Sequence, residues 1–453
     1  MKTSKLLSFI VALGLSSGVW AADWYVSPSG SDDAGGHTPA TALRTLMKVE
    51  TLLQPGDRVL LMDGEFTMEG REDKDALVTV RCSGTSEAWI TWTVAPGAHP
   101  VIRPSGWAAF DIRGSYHLLE GLTIIGQNDR LALKLALADA ENATPDPLYN
   151  TNGIIVEGRQ NSPDNKPHHV TVRNCTVCKC AGGGITALHA DYFIVEDCLV
   201  YDNCWFMRYG GSGITTNGNW AHDDLPGYHT IIRRNRVFNN KTLVPWEKIG
   251  KLSDGNGILL DVTDKQMYGL NNPEGDQTLS TAAAKKPVDK NERPDWHYMA
   301  LIENNVCAFN GGSGIHVFRT SDVEILNNTT YMNGASVDYG ELFSNASENI
   351  VIMNNVIVPR PGCKVNIDSR NRNVTWDYNI YPYGDRPMSG PHDIVADPMI
   401  LRPSKDIEVC DFRLDRKSPA LNAGTSSRHS EEDITGRRRP KGKAVDMGAY
   451  EQK

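Results

Sequence analysis

The sequence predicts an all-β solenoid of the parallel β-helix type, and three observations lead to that fold class. Short Asn-rich segments recur with a base period near 23 residues. Brief aliphatic strands, each opened by a glycine, lie between them. Asparagine or cysteine returns at one aligned position of each repeat. A fixed period of about 20–50 residues is typical of repeat proteins in which each repeat forms one coil.

The period is clearest in segments such as Glu303–Asn310 and Leu326–Asn333, which align without gaps. Steps of 23, 37, 70, 23 and 27 residues separate the aligned positions, so the longer steps are insertions into the same repeat. Side chains stacked at equivalent positions can form hydrogen-bonded ladders between coils. The aligned positions are Cys175, Cys198, Asn235, Asn305, Asn328 and Asn355.

The second strand of each repeat follows a glycine and contains β-branched or aliphatic residues, as in Gly257–Leu260 and Gly314–Val317. Such short runs, bounded by Gly, Asn or Asp, are typical of strands. Two or three strands in a coil of about 23 residues make a parallel β-helix. A β-propeller is disfavoured, because its blades need about 40–45 residues and four strands each.

Both ends are predicted to cap the solenoid, whose open core needs covering. Residues Ala42–Leu53 have helical spacing and are expected to form a short N-terminal helical cap, followed by a strand at Arg58–Met62. The Gly- and Pro-containing segment 411–451 is expected to form a C-terminal capping tail. We predict one domain over residues 22–453, with inserted loops at about 127–152 and 241–298 that form the binding face.

The N-terminus predicts export. Lys2 and Lys5 precede the apolar run Leu6–Leu15, and a small residue, Ala21, stands at the expected cleavage position. This order is typical of a secretory signal peptide, here residues 1–21. The run is shorter than the roughly 20 apolar residues that span a bilayer, so no membrane segment is expected. The mature protein is therefore predicted to be secreted or periplasmic.

The composition excludes several classes of protein. The chain has 453 residues, of which 40% are hydrophobic and 22% charged, and this balance excludes a disordered or collagen-like chain. A net charge of -9 argues against nucleic-acid binding, which normally uses a basic face. The negative net charge is compatible with an anionic polysaccharide as the partner, because a local basic patch or a bound cation makes the local electric potential positive. We expect a monomer.

Buried stacking or a disulfide between coils is favoured for the cysteines. Zinc binding is disfavoured, because zinc sites need a second paired set of ligands.

Several motifs resemble those of a known group. Trp24–Ser27, Pro55–Asp57, the Asn-rich coils and the closing Asp446–Glu451 look like secreted right-handed parallel β-helix proteins of the pectate-lyase-like superfamily, over nearly all of the mature chain. The stretch Asp254–Ile258 is similar to family 9 pectate lyases. That resemblance implies calcium-assisted β-elimination on a uronic-acid polymer with a lysine as base. The lysine that the family carries in the next strand is missing here, where residues 258–260 are aliphatic.

Alternation along the strands predicts a row of catalytic side chains. If Ile258 and Leu260 point into the core, Asp261 points out, and the same count makes His316 face out in the next aligned strand. Neighbouring strands lie about 4.8 Å apart, so outward residues on successive coils can converge on one substrate. Glu341 is expected beside His316. The predicted row consists of Asp261, His316, Arg319 and Glu341.

β-Elimination requires a neutralised uronate carboxylate, a base for the C5 proton and an acid for the leaving oxygen. Calcium is the expected cofactor, because it prefers oxygen ligands such as Asp254, Asp261 and Asp264. The cation, or Arg319, would neutralise the carboxylate. Lys251 is expected to act as the base, as an alternative to the histidine of the row. Each aspartate, taken singly, is equally well explained as a turn residue.

Aromatic and basic residues near the insertions predict the substrate-binding surface. Trp246, Trp220 and Tyr209 are expected to stack against sugar rings, and Lys248 to attract an anionic polymer. The favoured function is therefore a lyase on a uronic-acid-containing polysaccharide.

Three alternatives stay open. A glycoside hydrolase needs only two carboxylates, such as Asp261 and Glu341, about 5–5.5 Å apart for retention or 6.5–9.5 Å for inversion. A uronate epimerase uses the same proton abstraction as the lyase. A non-catalytic carbohydrate binder or adhesin would need no coherent acid–base set, since a fold does not imply a function. The gathering of the predicted row into one cleft would favour an enzyme over a binder.

Overall fold

The computed structural model describes residues 21–71, 73–263, 293–294 and 296–452. The strands in chain order are β1 (Asp23–Val26), β2 (Arg58–Leu61), β3 (Glu65–Phe66), β4 (Ala76–Val80), β5 (Ile90–Val94), β6 (Val101–Ile102), β7 (Ala108–Ile112), β8 (His117–Glu120), β9 (Thr123–Ile125), β10 (Asn152–Glu157), β11 (His168–Arg173), β12 (Thr176–Cys178), β13 (Ile185–Leu188), β14 (Asp191–Glu196), β15 (Leu199–Tyr201), β16 (Ile214–Asn217), β17 (Tyr228–Arg233), β18 (Arg236–Phe238), β19 (Ile258–Asp261), β20 (Met299–Glu303), β21 (Val306–Ala308), β22 (Ile315–Phe318), β23 (Ser321–Leu326), β24 (Thr329–Tyr331), β25 (Leu342–Asn345), β26 (Glu348–Met353), β27 (Val356–Val358), β28 (Asn366–Ser369), β29 (Arg372–Asp377), β30 (Ile380–Tyr381), β31 (Ile394–Val395), β32 (Ile400–Arg402) and β33 (Asp411–Leu414). The helices are α1 (Leu46–Glu50) and α2 (Leu133–Asp139), with 3₁₀ turns at Pro39–Thr41, Asn128–Arg130, Pro147–Asn150 and Pro163–Asn165.

Three long parallel sheets build the molecule. Sheet I runs β1-β2-β5-β8-β11-β14-β17-β20-β23-β26-β29, sheet II runs β3-β6-β9-β12-β15-β18-β21-β24-β27-β30-β31, and sheet III runs β4-β7-β10-β13-β16-β19-β22-β25-β28. The chain visits sheets III, I and II in turn, so each coil adds one strand to each sheet. The predicted parallel β-helix is confirmed, and its three parallel sheets fit the right-handed form, the usual hand of parallel connections.

Alternating aliphatic residues fill the interior of the coils. In sheet III, Ile258 and Leu260 of β19 and Ile315 and Val317 of β22 have no exposed surface. β19 pairs with β22 in the register Ile258 to Ile315, so like side chains stack from coil to coil. Burial of a side chain of this size stabilises the fold by about 1.5–3 kcal/mol.

Amide ladders run through the buried corners, as the repeat predicts. In the ladder of the aligned positions, the Asn235 Nδ2 donates to the Asn305 Oδ1 at 3.0 Å, and the Asn305 Nδ2 donates to the Asn328 Oδ1 at 3.0 Å. The first two positions of this ladder are cysteines, whose thiols take the place of the amides. The Cys175 N–H donates to the Cys198 Sγ at 3.5 Å. All nine cysteines are free thiols in the structure.

The two ends differ in how they pack. Helix α1 begins at Leu46 and is shorter than the predicted segment 42–53. Leu46 and Val49 bury against the first coils. The C-terminal tail runs along the side of the solenoid, where Phe412 and Ala449 pack on the outer face of sheet II against Phe238. The capping roles of both ends stay predictions.

Several connections of ten or more residues lie on the two edges of sheet III. Residues 126–151 and 239–257 connect sheet II to sheet III, whereas 158–167 and 218–227 connect sheet III to sheet I. Strand β19 lies inside the insertion predicted at 241–298, and most of the segment after β19 lies outside the described residues. Loops at both edges leave the outer face of sheet III as the floor of a groove. Among the described residues, no helix is long and apolar enough to cross a membrane.

Candidate functional site

Two columns of outward side chains cover the floor of the groove. The alternation predicted for β19 is confirmed, because Asp261 and Leu259 lie on the face opposite to the buried Ile258 and Leu260. Leu259 pairs with His316 in the next strand, and Asp261 pairs with Phe318. The first column contains Thr186, Thr215, Leu259, His316 and Phe343. The second contains Leu188, Asn217, Asp261, Phe318 and Asn345.

Asp261 is the central carboxyl group of the floor. The Asn217 Nδ2 in the neighbouring strand donates to the Asp261 Oδ2 at 2.9 Å. The Asp261 Oδ1 is buried and has no hydrogen-bond partner among the described residues. Burial raises the pKa of Asp261 to about 6, against the opposing charge of Arg319 and the hydrogen bond from Asn217. A buried acceptor atom of this kind needs a donor or a cation.

Asp254 comes from the connection before β19 and is close enough to Asp261 for the charge of Asp261 to act on it. Its backbone has a positive φ of 63°, and a glycine at position 210 makes room for its carboxylate. A Cβ at Gly210 would stand 2.5 Å from the Asp254 Oδ2. Burial raises the pKa of Asp254 to about 7, and the charge of Asp261 adds to the shift. The repulsion between the two carboxylates shows that they share one electrostatic environment.

His316 is held as a neutral imidazole on the floor. Its ring stacks on Phe343 at 3.9 Å between centroids, and Tyr339 lies edge-on at 5.5 Å. Its Nδ1 lies 3.3 Å from the Asn256 Oδ1, and this contact with an acceptor places the proton on Nδ1. Burial lowers the pKa of His316 to about 3. The Nε2 therefore carries the free lone pair at physiological pH.

Three cations surround the carboxylates. Arg319 is buried, and its guanidinium lies over the Phe318 ring at 4.4 Å. Arg293, also buried, donates through Nη1 to the Val262 carbonyl at 2.8 Å. The positive charges of Arg319, Arg293 and Lys248 each lower the pKa of Asp261. An acidic chain therefore presents a locally basic environment at this point of the groove.

The predicted register of Glu341 is wrong. The residue beside His316 in the next strand is Phe343, and Glu341 precedes that strand. Its carboxyl group is buried and accepts from the Asn333 N–H at 2.7 Å and the Asn333 Nδ2 at 2.6 Å. Burial raises the pKa of Glu341 to about 8. Glu341 thus ends the second amide ladder, which consists of Asn203, Asn240, Asn310, Asn333 and Glu341.

Lys248, Lys251 and Trp246 lie together in a turn at the edge of the groove. The Trp246 N–H donates to the Lys251 carbonyl at 3.0 Å, and the Lys248 ammonium lies 5.6 Å from the Trp246 ring centroid. Both lysine side chains are exposed. Trp246 also lines a cavity of about 450 Å³ with Arg208 and residues of α2. This volume falls in the range of small-ligand pockets.

The remaining predicted residues are not part of this cluster. Trp220 is buried in the connection at the opposite edge, where the Lys166 ammonium lies 4.4 Å from its ring centroid. Tyr209 packs edge-on against Trp107 at 6.2 Å. Asp264 lies outside the described residues.

Four groups near the carboxylates were missed by the alternation argument: Asn217, Asn256, Arg293 and Tyr339. Asn217 occupies the same strand position as Asp261 one coil earlier, so the register alone identifies it. Asn256 follows the Asp254-Gly255 turn and was visible in the same motif. The other two come from long connections, whose path the repeat does not specify.

Asp254 and Asp261 form a donor set that fits calcium. Both supply carboxylate oxygens, the ligands that Ca²⁺ prefers, and one of these oxygens is a buried atom without a partner in the described part of the chain. Burial is the main cause of the raised pKa of each carboxyl group, and a bound cation would favour the ionised form of both. The third predicted ligand lies outside the described residues, and the calcium site stays a prediction.

Comparisons with known proteins identify similar folds. No protein-family model matches the chain, and no curated protein matches it. A solved pectate lyase, Pel9A, is similar with a TM-score of 0.54 and 18% identity, over 96% of this chain and 98% of that chain. The A-module of the mannuronan C-5 epimerase AlgE4 from Azotobacter vinelandii has a TM-score of 0.37 and 16% identity, over 76% of this chain and 91% of that one. A rhamnogalacturonan lyase has a TM-score of 0.37 and 14% identity, over 78% and 87%.

The similarity to Pel9A extends over both chains almost completely and agrees with the resemblance seen in the sequence. Its sequence identity is low, so the fold is what the two proteins share. The chain is a parallel β-helix protein that shares its fold with this pectate lyase.

Proposed function

We propose that the protein is a polysaccharide lyase that cleaves a uronic-acid-containing chain by β-elimination in the groove on sheet III. The observation that carries the proposal is the buried, unpartnered Oδ1 of Asp261 beside the carboxyl group of Asp254 and the guanidinium of Arg319. Such a site can hold a cation and a uronate carboxylate together. The pectate lyase fold agrees with this chemistry.

In the proposed reaction, a base removes the C5 proton, the C4–O4 bond breaks and a C4–C5 double bond forms. Arg319 would pair with the uronate carboxylate and stabilise the negative charge that develops on it. A base for the C5 proton must be uncharged before the reaction, and burial keeps His316 in its neutral form. His316 is therefore the proposed base through its Nε2, and the exposed Lys251 is the alternative.

The leaving O4 oxygen must receive a proton. Tyr339 is the proposed acid, because its ring lies 5.5 Å from His316 and its hydroxyl lies 3.4 Å from the Ser253 Oγ, next to Asp254. Burial raises the pKa of Tyr339, so the hydroxyl keeps its proton at neutral pH. Asp254 and Asp261 would hold Ca²⁺, which when bound neutralises the uronate carboxylate.

The polymer is proposed to be anionic and extracellular. Its path along the groove would pass the cavity of about 450 Å³ at Trp246, where a sugar ring can stack on the indole. Lys248 would contact a second uronate. Secretion through the signal peptide and action as a monomer belong to the same proposal.

Incubation with pectate, alginate and glycosaminoglycans, with and without Ca²⁺, tests the proposal through the ultraviolet absorbance of unsaturated uronate ends. We expect absorbance on at least one polymer, lost in His316→Ala and in Asp261→Asn. Matched controls are His392→Ala and Asp322→Asn, which lie on other surfaces and should keep full activity. Absence of absorbance on every polymer would refute a lyase.

A glycoside hydrolase is the second candidate, and the pair Asp254 and Asp261 favours it. Their pKa values are raised to about 7 and about 6, so one carboxyl group is suited to donate a proton while the other is ionised. New reducing ends without absorbance would support this hydrolase. A change in uronate stereochemistry without cleavage would indicate an epimerase, and binding without any product a carbohydrate-binding protein.

A further inference from the structure

Three histidine rings meet at the corner between sheets III and I, away from the carboxylates of the groove. His168 and His169 begin strand β11, and His222 lies in the connection 218–227 that precedes β17. One ring nitrogen of each lies within 4.8 Å of the other two. Among the described residues, no other group of three or more His, Cys, Asp or Glu side chains brings its ligand atoms this close together. The reaction proposed for the groove does not use it.

A residue in the left-handed conformation brings two consecutive imidazoles together at the start of β11. His168 pairs with Asp191 and Val170 pairs with Phe193, and His169 between them has a φ of 54°. In a regular strand, neighbouring side chains point to opposite faces. The left-handed residue interrupts that alternation, so both imidazoles project from the corner. A non-glycine residue in this conformation costs about 1–2 kcal/mol. The same conformation recurs at Tyr116 and Tyr192 in the neighbouring coils, with φ of 60° and 46°, so it belongs to this corner of the solenoid.

The rings are close to the spacing that a metal ion requires. The Nδ1 atoms of His168 and His169 lie 2.7 Å apart, and the rings of His168 and His222 stack with centroids 3.5 Å apart. Tetrahedral Zn²⁺, with Zn–N bonds of about 2.0–2.1 Å, holds its nitrogen ligands about 3.4 Å apart. If His168 and His169 moved slightly apart and His222 rotated about its side-chain torsions, the nitrogen lone pairs of the three rings would point at one metal ion. His222 is exposed, so this rotation meets little resistance.

The surroundings orient the rings and keep them neutral. His169 is held between Tyr116 and Tyr192, whose rings stack on it at 4.8 and 4.1 Å. Burial, together with the neighbouring imidazoles, lowers the pKa of His168 to about 3 and also lowers that of His169. Neutral imidazole is the form that binds a metal. The Asp223 carboxylate, fixed by the Tyr192 hydroxyl at 2.7 Å, supplies negative charge nearby.

We propose that His168, His169 and His222 bind one divalent transition-metal ion of the zinc class. Three imidazole nitrogens suit zinc, copper or nickel, whereas calcium prefers oxygen ligands, so this site and the carboxylate pair of the groove select different ions. The exposed side of His222 leaves a fourth position to solvent. The ion ties the connection 218–227 to strand β11, two coils earlier. The same connection carries Trp220 at the edge of the groove, so metal binding also orders that edge.

The full chain, produced without a histidine tag and freed of metal by chelation, is titrated with Zn²⁺ and with Co²⁺ as a visible probe. We expect one ion per chain, and cobalt absorption bands of a tetrahedral nitrogen site. Even residues that only support a ligand change metal affinity by roughly 10–100-fold, so His222→Ala should weaken binding by more than about 100-fold. His222 is exposed and its replacement leaves the coils intact, which a circular dichroism spectrum checks.

Two controls separate this site from other sites. His392→Ala removes an exposed histidine elsewhere and should bind Zn²⁺ like the wild type. The double variant Asp254→Asn, Asp261→Asn removes the groove carboxylates and should also keep the zinc site. An excess of Ca²⁺ should not displace Co²⁺. Equal zinc affinity in His222→Ala and wild type, or loss of binding in the double variant, would overturn the proposal.

Discussion

Replacement of Glu341 by glutamine separates a structural role from a catalytic one. In the second ladder, one amide oxygen accepts from both the backbone N–H and the Nδ2 of the preceding residue, as the Asn310 Oδ1 does with Asn240 at 3.0 Å each. Glutamine at 341 can accept in the same way from Asn333. The variant therefore keeps the ladder and removes the ionisable group. We expect it to fold and to keep its activity.

The magnitude follows from the pKa of the buried carboxyl group. Burial raises the pKa of Glu341 from 4.5 to about 8. A raised pKa means that the folded state holds the proton more tightly, so the stabilisation is complete below pH 4.5 and is lost as the pH rises toward 8. The loss reaches about 3 kcal/mol at pH 7 and about 5 kcal/mol above pH 8. Glu341→Gln does not suffer this loss.

Thermal unfolding from pH 4.5 to 9 measures the effect. An unfolding entropy of about 2 cal/mol/K per residue gives roughly 0.9 kcal/mol per kelvin for a chain of this length, so the variant should melt about 3 °C above the wild type at pH 7 and about 5 °C above it at pH 9. Near pH 4.5 the two midpoints should agree. A difference that stays constant with pH would refute the buried-carboxyl argument, and loss of activity in a folded variant would show that Glu341 is catalytic.

Three further outcomes are expected. Asn240→Ala leaves buried ladder partners unsatisfied and should lower the free energy of unfolding by about 4 kcal/mol in urea, whereas Asn373→Ala in an exposed amide pair should cost under about 1 kcal/mol. Asp254→Asn should raise the melting temperature at pH 8 in chelator and not at pH 4, because the raised pKa of Asp254 makes its ionisation destabilising; added Ca²⁺ should stabilise only the wild type. Arg319→Lys should lower kcat/KM on the uronate substrate at least about tenfold, because an ammonium cannot pair with a carboxylate through two N–H groups; unchanged kinetics would contradict its role.

Strand positions and register were predictable from the sequence wherever the repeat is regular. The opening glycine and the aliphatic pattern place β19 and β22 in register and pair Leu259 with His316, as the structure has them. The period also identifies the ladder through Asn305 and Asn328. Both follow from a local pattern, since a one-residue shift would expose the whole aliphatic set of a strand.

The error at Glu341 has a local cause that the alignment contains. Other coils open this strand with glycine, as at Gly257 and Gly314, and Glu341 stands at the same place before Leu342. In the next coil, 27 residues after Asn333, the ladder position is Arg360 instead of asparagine. The ladder therefore lacks an amide there, and the carboxyl group of Glu341 supplies the acceptor. Alternation describes side chains inside a strand and does not apply to the residue before it.

The repeat pattern does not predict where the residues of the connections lie. Arg293 and Tyr339 reach the site from segments without the period, so only three-dimensional packing brings them to Asp261 and His316. The histidine triad was missed for a related reason. The alternation of side chains along a strand predicts that His168 and His169 point to opposite faces. The positive φ of His169, which brings their rings together, is not visible in the sequence.

The proposed placement of the chemistry on sheet III agrees with how the outer face of sheet II is used. The C-terminal tail covers part of the outer face of sheet II, and the asparagine ladders occupy the buried corners. Connections leave at the corners between the sheets, and several long ones leave at the two edges of sheet III. They bring Lys248 and Arg293 close enough to act on the buried carboxyl group of Asp261. If the groove binds a polyanion, as proposed, the attraction depends on these few loop cations. Neutralising them should then weaken polymer binding far more than their share of the net charge implies.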